Sequence, residues 1–143
     1  MFSSFESIIR LLRHDGGSKT NSLREPLHPS LHFKGQWRTY QEKLLNEINY
    51  HLGDKKLHVV AAPGAGKTVL GLEAVLRLGK KALVLTPRTT IRDQWIMTLG
   101  DMFLEDQTQL AEFVSDEPES IRLLTCLTYQ SVHSTLTKKR SKK

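Results

Sequence analysis

Ala61-Ala62-Pro63-Gly64-Ala65-Gly66-Lys67-Thr68 stands between a short apolar run, Leu57–Ala61, and a stretch of helical periodicity, Lys67–Leu78. A loop joining a strand to a helix points successive backbone N–H groups at one spot, and the helix starting there adds the positive end of its dipole. Gly64 and Gly66 let the backbone approach an anion without a Cβ in the way. A lysine and a hydroxyl follow at once. In such a loop Lys67 reaches the β- and γ-phosphates of a nucleoside triphosphate and the Thr68 hydroxyl holds Mg²⁺. The alternative is a glycine-rich turn with a solvated lysine. The strand–turn–helix setting decides against it, because the motif requires that setting.

The remainder of the chain alternates around this loop. Upstream, Thr39–Leu52 places Leu44, Leu45, Ile48 and Leu52 on one side of a helix, with Gly53 to end it. Downstream, the Lys67–Leu78 helix is closed by Gly79. Then come an apolar strand Lys81–Thr86, a helix Thr90–Leu99 ending at Gly100, a third strand Ile121–Thr125 and a helix Thr128–Leu136. Residues 101–119 carry seven acids and no Lys or Arg, and are broken at Pro118. Apolar strands alternating with helices imply an α/β fold, a parallel sheet covered on both faces. At the N-terminus, Ser3 and Glu6 have capping-box spacing, and Phe5, Ile8, Ile9 and Leu12 recur at helical intervals. The organisation expected is an amphipathic helix over 1–14, a linker over 15–32 rich in Gly and Pro, a nucleotide-binding unit over 33–137 and a basic tail over 138–143.

Charge and cysteine content narrow the function classes. Five of the 21 Lys and Arg fall in the last six residues, so residues 1–137 hold 16 basic against 15 acidic groups. The overall +6 therefore describes a tail and not a nucleic-acid-binding face. Cys126 is the only cysteine, which excludes an intrachain disulfide and fits the cytoplasm. No apolar run reaches the roughly 18–20 residues needed to span a bilayer. The six histidines lack metal-ligand spacing.

Four segments, in order, resemble the superfamily 2 helicases of the DEAD/DEAH-box type, including type III restriction-like members. Ala61 replaces the first glycine of the general phosphate-loop pattern, and A-x-x-G-x-G-K-T is similar to that family's motif I. Arg38-Thr39-Tyr40-Gln41 resembles its R-x-Y-Q element, in which the glutamine reads adenine; a carboxamide matches that base edge with one donor and one acceptor. Phe33 or Trp37 would stack on the base. Leu83-Val84-Leu85-Thr86-Pro87-Arg88-Thr89-Thr90 resembles motif Ia, which binds the phosphodiester backbone of the tracked strand. Leu124-Thr125-Cys126-Leu127-Thr128-Tyr129-Gln130-Ser131 resembles the T-x-x-T-Y-Q segment, with Thr128 either a helix cap or a phosphate contact.

The resemblance implies a RecA-like P-loop NTPase lobe. ATP and Mg²⁺ would be held by Arg38, Gln41, Ala62, Pro63, Gly64, Ala65, Gly66, Lys67 and Thr68, with Thr68 on the metal and Lys67 and Thr68 acting on the phosphates. Nucleic acid, DNA before RNA, would lie on Thr86, Pro87, Arg88, Thr89 and Thr128. No D-E-x-H box occurs in the sequence, and Asp116-Glu117-Pro118-Glu119 follows no apolar strand. The chain is therefore expected to be an incomplete lobe and hydrolysis-incompetent alone, with a second lobe supplied in cis or trans. A strand edge left unpaired would make it marginally soluble. Two other functions fit the loop by itself: a P-loop kinase or small NTPase, and a non-catalytic nucleotide- or nucleic-acid-binding remnant or regulator.

Overall fold

The computed structural model describes residues 8–11, 28–51, 59–60 and 62–141. Three strands run parallel: β2 (Ala82–Thr86), β3 (Val114–Ser115) and β4 (Leu124–Thr128). A fourth, β1 (Ile8–Leu11), joins the outer edge of β2 antiparallel, giving the order β1-β2-β4-β3. Among the described residues five α-helices accompany them: α1 (Thr39–His51), α2 (Lys67–Leu78), α3 (Thr89–Phe103), the single turn α4 (Leu110–Phe113) and α5 (Tyr129–Arg140). The α/β class with a parallel sheet and flanking helices is that of a RecA-like P-loop fold.

β2 alternates, with Ala82, Val84 and Thr86 buried and Leu83 and Leu85 half-buried. β4 is buried along its whole length because β2 and β3 pair with its two edges while α3 and α5 pack on it. Leu72 and Val75 of α2 meet Trp95, Leu99 and Phe103 of α3 over Val84, Leu124 and Cys126. A second apolar cluster, Leu45 and Ile48 against Leu70, fastens α1 to α2. Burying a Leu or Phe side chain contributes about 1.5–3 kcal/mol. The two clusters therefore hold α2, the helix that follows the phosphate loop, from both sides.

Several expectations change, among them the acidic stretch, where β3 forms directly before Asp116, and the linker, where Leu31 is a core residue. Residues 8–11 are a strand and not part of a helix; the rest of 1–14 lies outside the described residues. Ile8 and Ile9 are β-branched, and the open edge of β2 offers ladder hydrogen bonds that an isolated short helix would have to replace. Val59 and Val60 carry no strand pairing, and Val60 is 83% exposed; the rest of the expected strand Leu57–Ala61 lies outside the described residues. A strand exists only against a partner, and β1 and β4 take both edges of β2.

Gly100 does not end α3, which continues to Phe103. A Cβ at Gly100 would come 3.3 Å from Leu110 Cδ2, so the glycine makes room for the returning α4 segment. Phe103, with 0% exposure, and Leu104 are core residues beyond it. Their burial outweighs the roughly 1 kcal/mol that glycine costs inside a helix. The third strand lies three residues later than the spacing suggests. Pairing Ala82 with Leu124 through Thr86 with Thr128 leaves Ile121 exposed and brings Thr125 inside. Thr125 is satisfied there, its Oγ1 accepting from the Arg122 N–H at 3.2 Å.

Candidate nucleotide-binding site

The phosphate loop is shaped by its own backbone. Ala65 N–H donates to Ala62 C=O at 3.1 Å, closing a turn with Pro63 second and Gly64 third. Pro63 presets its own φ, and Gly64 adopts φ +77°, the combination a type II turn requires. Gly66 repeats the left-handed conformation, at φ 77° and ψ 36°, as the N-cap of α2. No side chain caps that helix. Its first-turn N–H groups, beginning at Lys67, are therefore open to an anion, and the helix dipole favours one there. Among the described residues, the side chains of Lys67 and Thr68 make no hydrogen bond or ion pair. Both are placed at the helix start, with Lys67 exposed.

Gln41 is built into this loop. Arg38 is the N-cap of α1, its C=O accepting from the N–H groups of Gln41 (2.8 Å) and Glu42 (3.0 Å). Gln41, three residues on, turns its side chain back so that Oε1 accepts from Arg38 N–H at 3.0 Å, one half of a capping box. Its Nε2 donates to Ala65 C=O at 3.2 Å. Tyr40 Oη donates to the same carbonyl at 2.7 Å. Gln41 is only 7% exposed. It packs so tightly on Gly66 that a Cβ there would meet Nε2 at 2.7 Å. Arg38 and Gln41 are thus tied to the loop at Ala65 and Gly66.

An open cleft of about 570 Å³ runs between α1 and the loop, lined by Arg38, Tyr40, Lys43, Glu47 and Val60 and by the loop residues Ala62 to Ala65. That size suits a nucleoside, since ligand clefts run to about 300–1,000 Å³. The aromatic ring on it is Tyr40. Phe33 and Trp37 are absent from its walls and stack on each other, with ring centroids 4.0 Å apart and Phe33 also against Phe103. Tyr40 belongs to the R-x-Y-Q element but carries no site role in the sequence reading, and Lys43 and Glu47 are not named in it. The signal for them was available: they lie on the α1 faces adjoining Gln41.

The other predicted set lies at the C-terminal ends of β2 and β4, which are side by side because Thr86 pairs with Thr128. Pro87, Arg88 and Thr89 are exposed there. Arg88 is the N-cap of α3 with no side-chain cap, so this helix too opens its first-turn N–H groups. The Thr86 hydroxyl is turned inward, with 0% exposure, toward the carbonyls of Arg88 (3.2 Å) and Leu127 (3.4 Å). Thr128 caps α5, its Oγ1 accepting from Ser131 N–H at 3.2 Å. Asp116 is paired with Arg92 at 3.2 Å on the turn after β3, and Ser115 Oγ accepts from Glu117 N–H, so this acidic segment is a loop fastened to α3. Burial pushes the Cys126 thiol up to about 12, which leaves it protonated and unreactive. Among the described residues no helix is long and apolar enough to cross a membrane.

Relatives are found among known proteins. Residues 34–143 match the sequence model of the family described as type III restriction enzyme, res subunit. The chain is 35% identical over 107 residues to the DNA 3'-5' helicase XPB of Mycobacterium tuberculosis, covering 73% of this chain and 19% of that protein. It is 29% identical over 105 residues to the general transcription and DNA repair factor IIH helicase/translocase subunit XPB2 of Arabidopsis thaliana, covering 73% of this chain and 14% of that protein. The chain thus spans less than a fifth of the length of these relatives. No solved structure matches it.

Proposed function

The chain belongs to the type III restriction enzyme res-subunit family, and from that premise we propose that it is the ATP-binding portion of an ATP-driven nucleic-acid helicase or translocase. The observation that carries this is the uncapped N-terminus of α2, with two left-handed glycines before it and in its first turn Lys67, whose side chain has no partner among the described residues. The residues fit a triphosphate. The loop backbone is free of Cβ atoms at Gly64 and Gly66, and the nearby cleft is large enough for the nucleoside. Lys67 and the N–H groups of residues 64–68 would hold the phosphates, Thr68 the Mg²⁺, and Gln41 with Arg38 the adenine. Bound ATP supplies the phosphoryl-transfer chemistry; this chain's residues bind and orient it.

Nucleic acid, DNA before RNA given the relatives' names, is proposed to lie across the ends of β2 and β4. Arg88, Thr89 and the open N–H groups of α3 would contact phosphates, which reads no sequence. Pro87 shapes that turn. Thr86 and Thr128 hold the strand ends in place through hydroxyls already committed to the protein. A second lobe, in cis or trans, would complete the ATPase, and the cytoplasm is the proposed compartment. This chain alone binds nucleotide without turnover, because its 143 residues contain no D-E-x-H box to position water.

Calorimetric titration of Mg·ATP into the chain and into Lys67→Ala tests the assignment. Binding by the parent and loss of at least about tenfold in affinity in the variant, 1.4 kcal/mol, is expected. Equal affinity in the two would sink the phosphate-loop role.

A further inference from the structure

Gln41 is the proposed adenine reader, yet its amide is occupied and it does not line the cleft. Oε1 holds the N-cap of α1 and Nε2 holds Ala65 C=O, while the side chain is nearly buried against Gly66. Its neighbour Tyr40 lies on the cleft wall and donates to that same carbonyl over the shorter distance, 2.7 Å against 3.2 Å. A carbonyl oxygen has two lone pairs, so both donors fit at once. One can also leave without stranding the acceptor. Ala65 is half-buried, so stripping its carbonyl of both donors costs only part of the about 1–3 kcal/mol of a fully buried acceptor, and one donor left in place lowers that further.

We propose that Tyr40 is a positioning residue that keeps the phosphate loop in shape while Gln41 turns from Ala65 to the base. The inference rests on the ATP-binding assignment above and deepens it. With no base bound, both side chains hold Ala65. When a base enters the cleft, the Gln41 amide exchanges its loop contact for the base edge, and Tyr40 alone retains the carbonyl beside Gly66 and Lys67. Base recognition and loop shape are coupled through one oxygen atom.

Two probes separate the parts: Mg·ATP, which has a base, and Mg·tripolyphosphate, which has the phosphates alone. In Tyr40→Phe, Gln41 remains the only donor to Ala65 and cannot serve loop and base together. Affinity for Mg·ATP should fall about three- to tenfold, the worth of one hydrogen bond, and affinity for Mg·tripolyphosphate should stay within about twofold. In Tyr40→Phe/Gln41→Ala the loop loses both donors, and tripolyphosphate affinity should fall as well, although neither single change lowers it. Equal losses for both probes in Tyr40→Phe would make Tyr40 a static prop and overturn the proposal; so would no loss for either. Parent chain that binds both probes equally removes base recognition and overturns the hand-over while leaving the phosphate loop intact. Parent chain that binds neither probe overturns the ATP-binding assignment itself, and the hand-over with it.

Discussion

Replacing Gly66 by Ala places two separable demands on the fold. The first is conformational: φ is +77°, where an L residue costs about 1–2 kcal/mol. Gly64 has the same φ, but a Cβ there meets nothing within 4 Å. Gly64→Ala therefore measures the backbone cost by itself. At Gly66 the new Cβ would come 2.7 Å from Gln41 Nε2, well inside van der Waals contact. The amide can move, since it ends a flexible side chain. Moving it leaves the nearly buried Gln41 amide without its acceptor, and the side chain has little free space around it. That adds about 1–2 kcal/mol. Gly66→Ala should thus cost about 2–4 kcal/mol in total, and about 1–2 kcal/mol more than Gly64→Ala. In a Gln41→Ala background the clash has no partner and the excess should vanish. Urea unfolding followed by tryptophan fluorescence resolves this, because Trp95 is buried in the core between α2, α3 and the sheet. Equal destabilisation by the two substitutions would refute the reasoning, as would an excess that survives when Gln41 is gone.

Three further outcomes follow from the strand ends and the core. Thr128→Ala should lower stability by about 1 kcal/mol through loss of the α5 cap, whereas Arg88→Ala should leave unfolding unchanged and weaken DNA binding, lowering its salt slope by about 1. Filter binding across a salt series beside urea melts would separate the roles, and the reverse pattern would reassign them. Cys126 is held protonated up to about 12 by burial, against about 8.5 in an unfolded chain. Because the folded value is the higher one and the favoured form is the neutral thiol, its contribution is complete below the unfolded value and shrinks as pH rises toward the folded one. Between pH 7 and 10 the parent should lose about 1–2 kcal/mol more than Cys126→Ala. Equal losses in paired urea melts would place Cys126 in contact with solvent.

Much of the fold was legible because local chemistry set it. The phosphate loop dictated its own geometry: Pro63 and Gly64 form the turn, Gly66 takes the left-handed N-cap, and α2 runs from Lys67 to a left-handed Gly79 as the spacing required. The sequence by itself also specified the alternation of parallel strands and helices, because apolar runs and helical periodicity are properties of neighbouring residues. Tertiary structure decided the rest. Gly100 has the composition of a helix stop, yet it lies inside α3 because Leu110 needs the space and Phe103 needs the core. Ile8–Leu11 has helical spacing, yet it is a strand because the edge of β2 is free to pair. β4 begins at Leu124 because its register is set by β2, far upstream in the sequence. In the site, the resemblance of residues 38–41 to the R-x-Y-Q element pointed to Gln41. Only the packing of α1 on α2 brought its amide, with Tyr40, onto the carbonyl of Ala65. The physical reason is the same in each case: turn and cap preferences act within a few residues, whereas edges, cavities and shared acceptors exist only once distant segments meet.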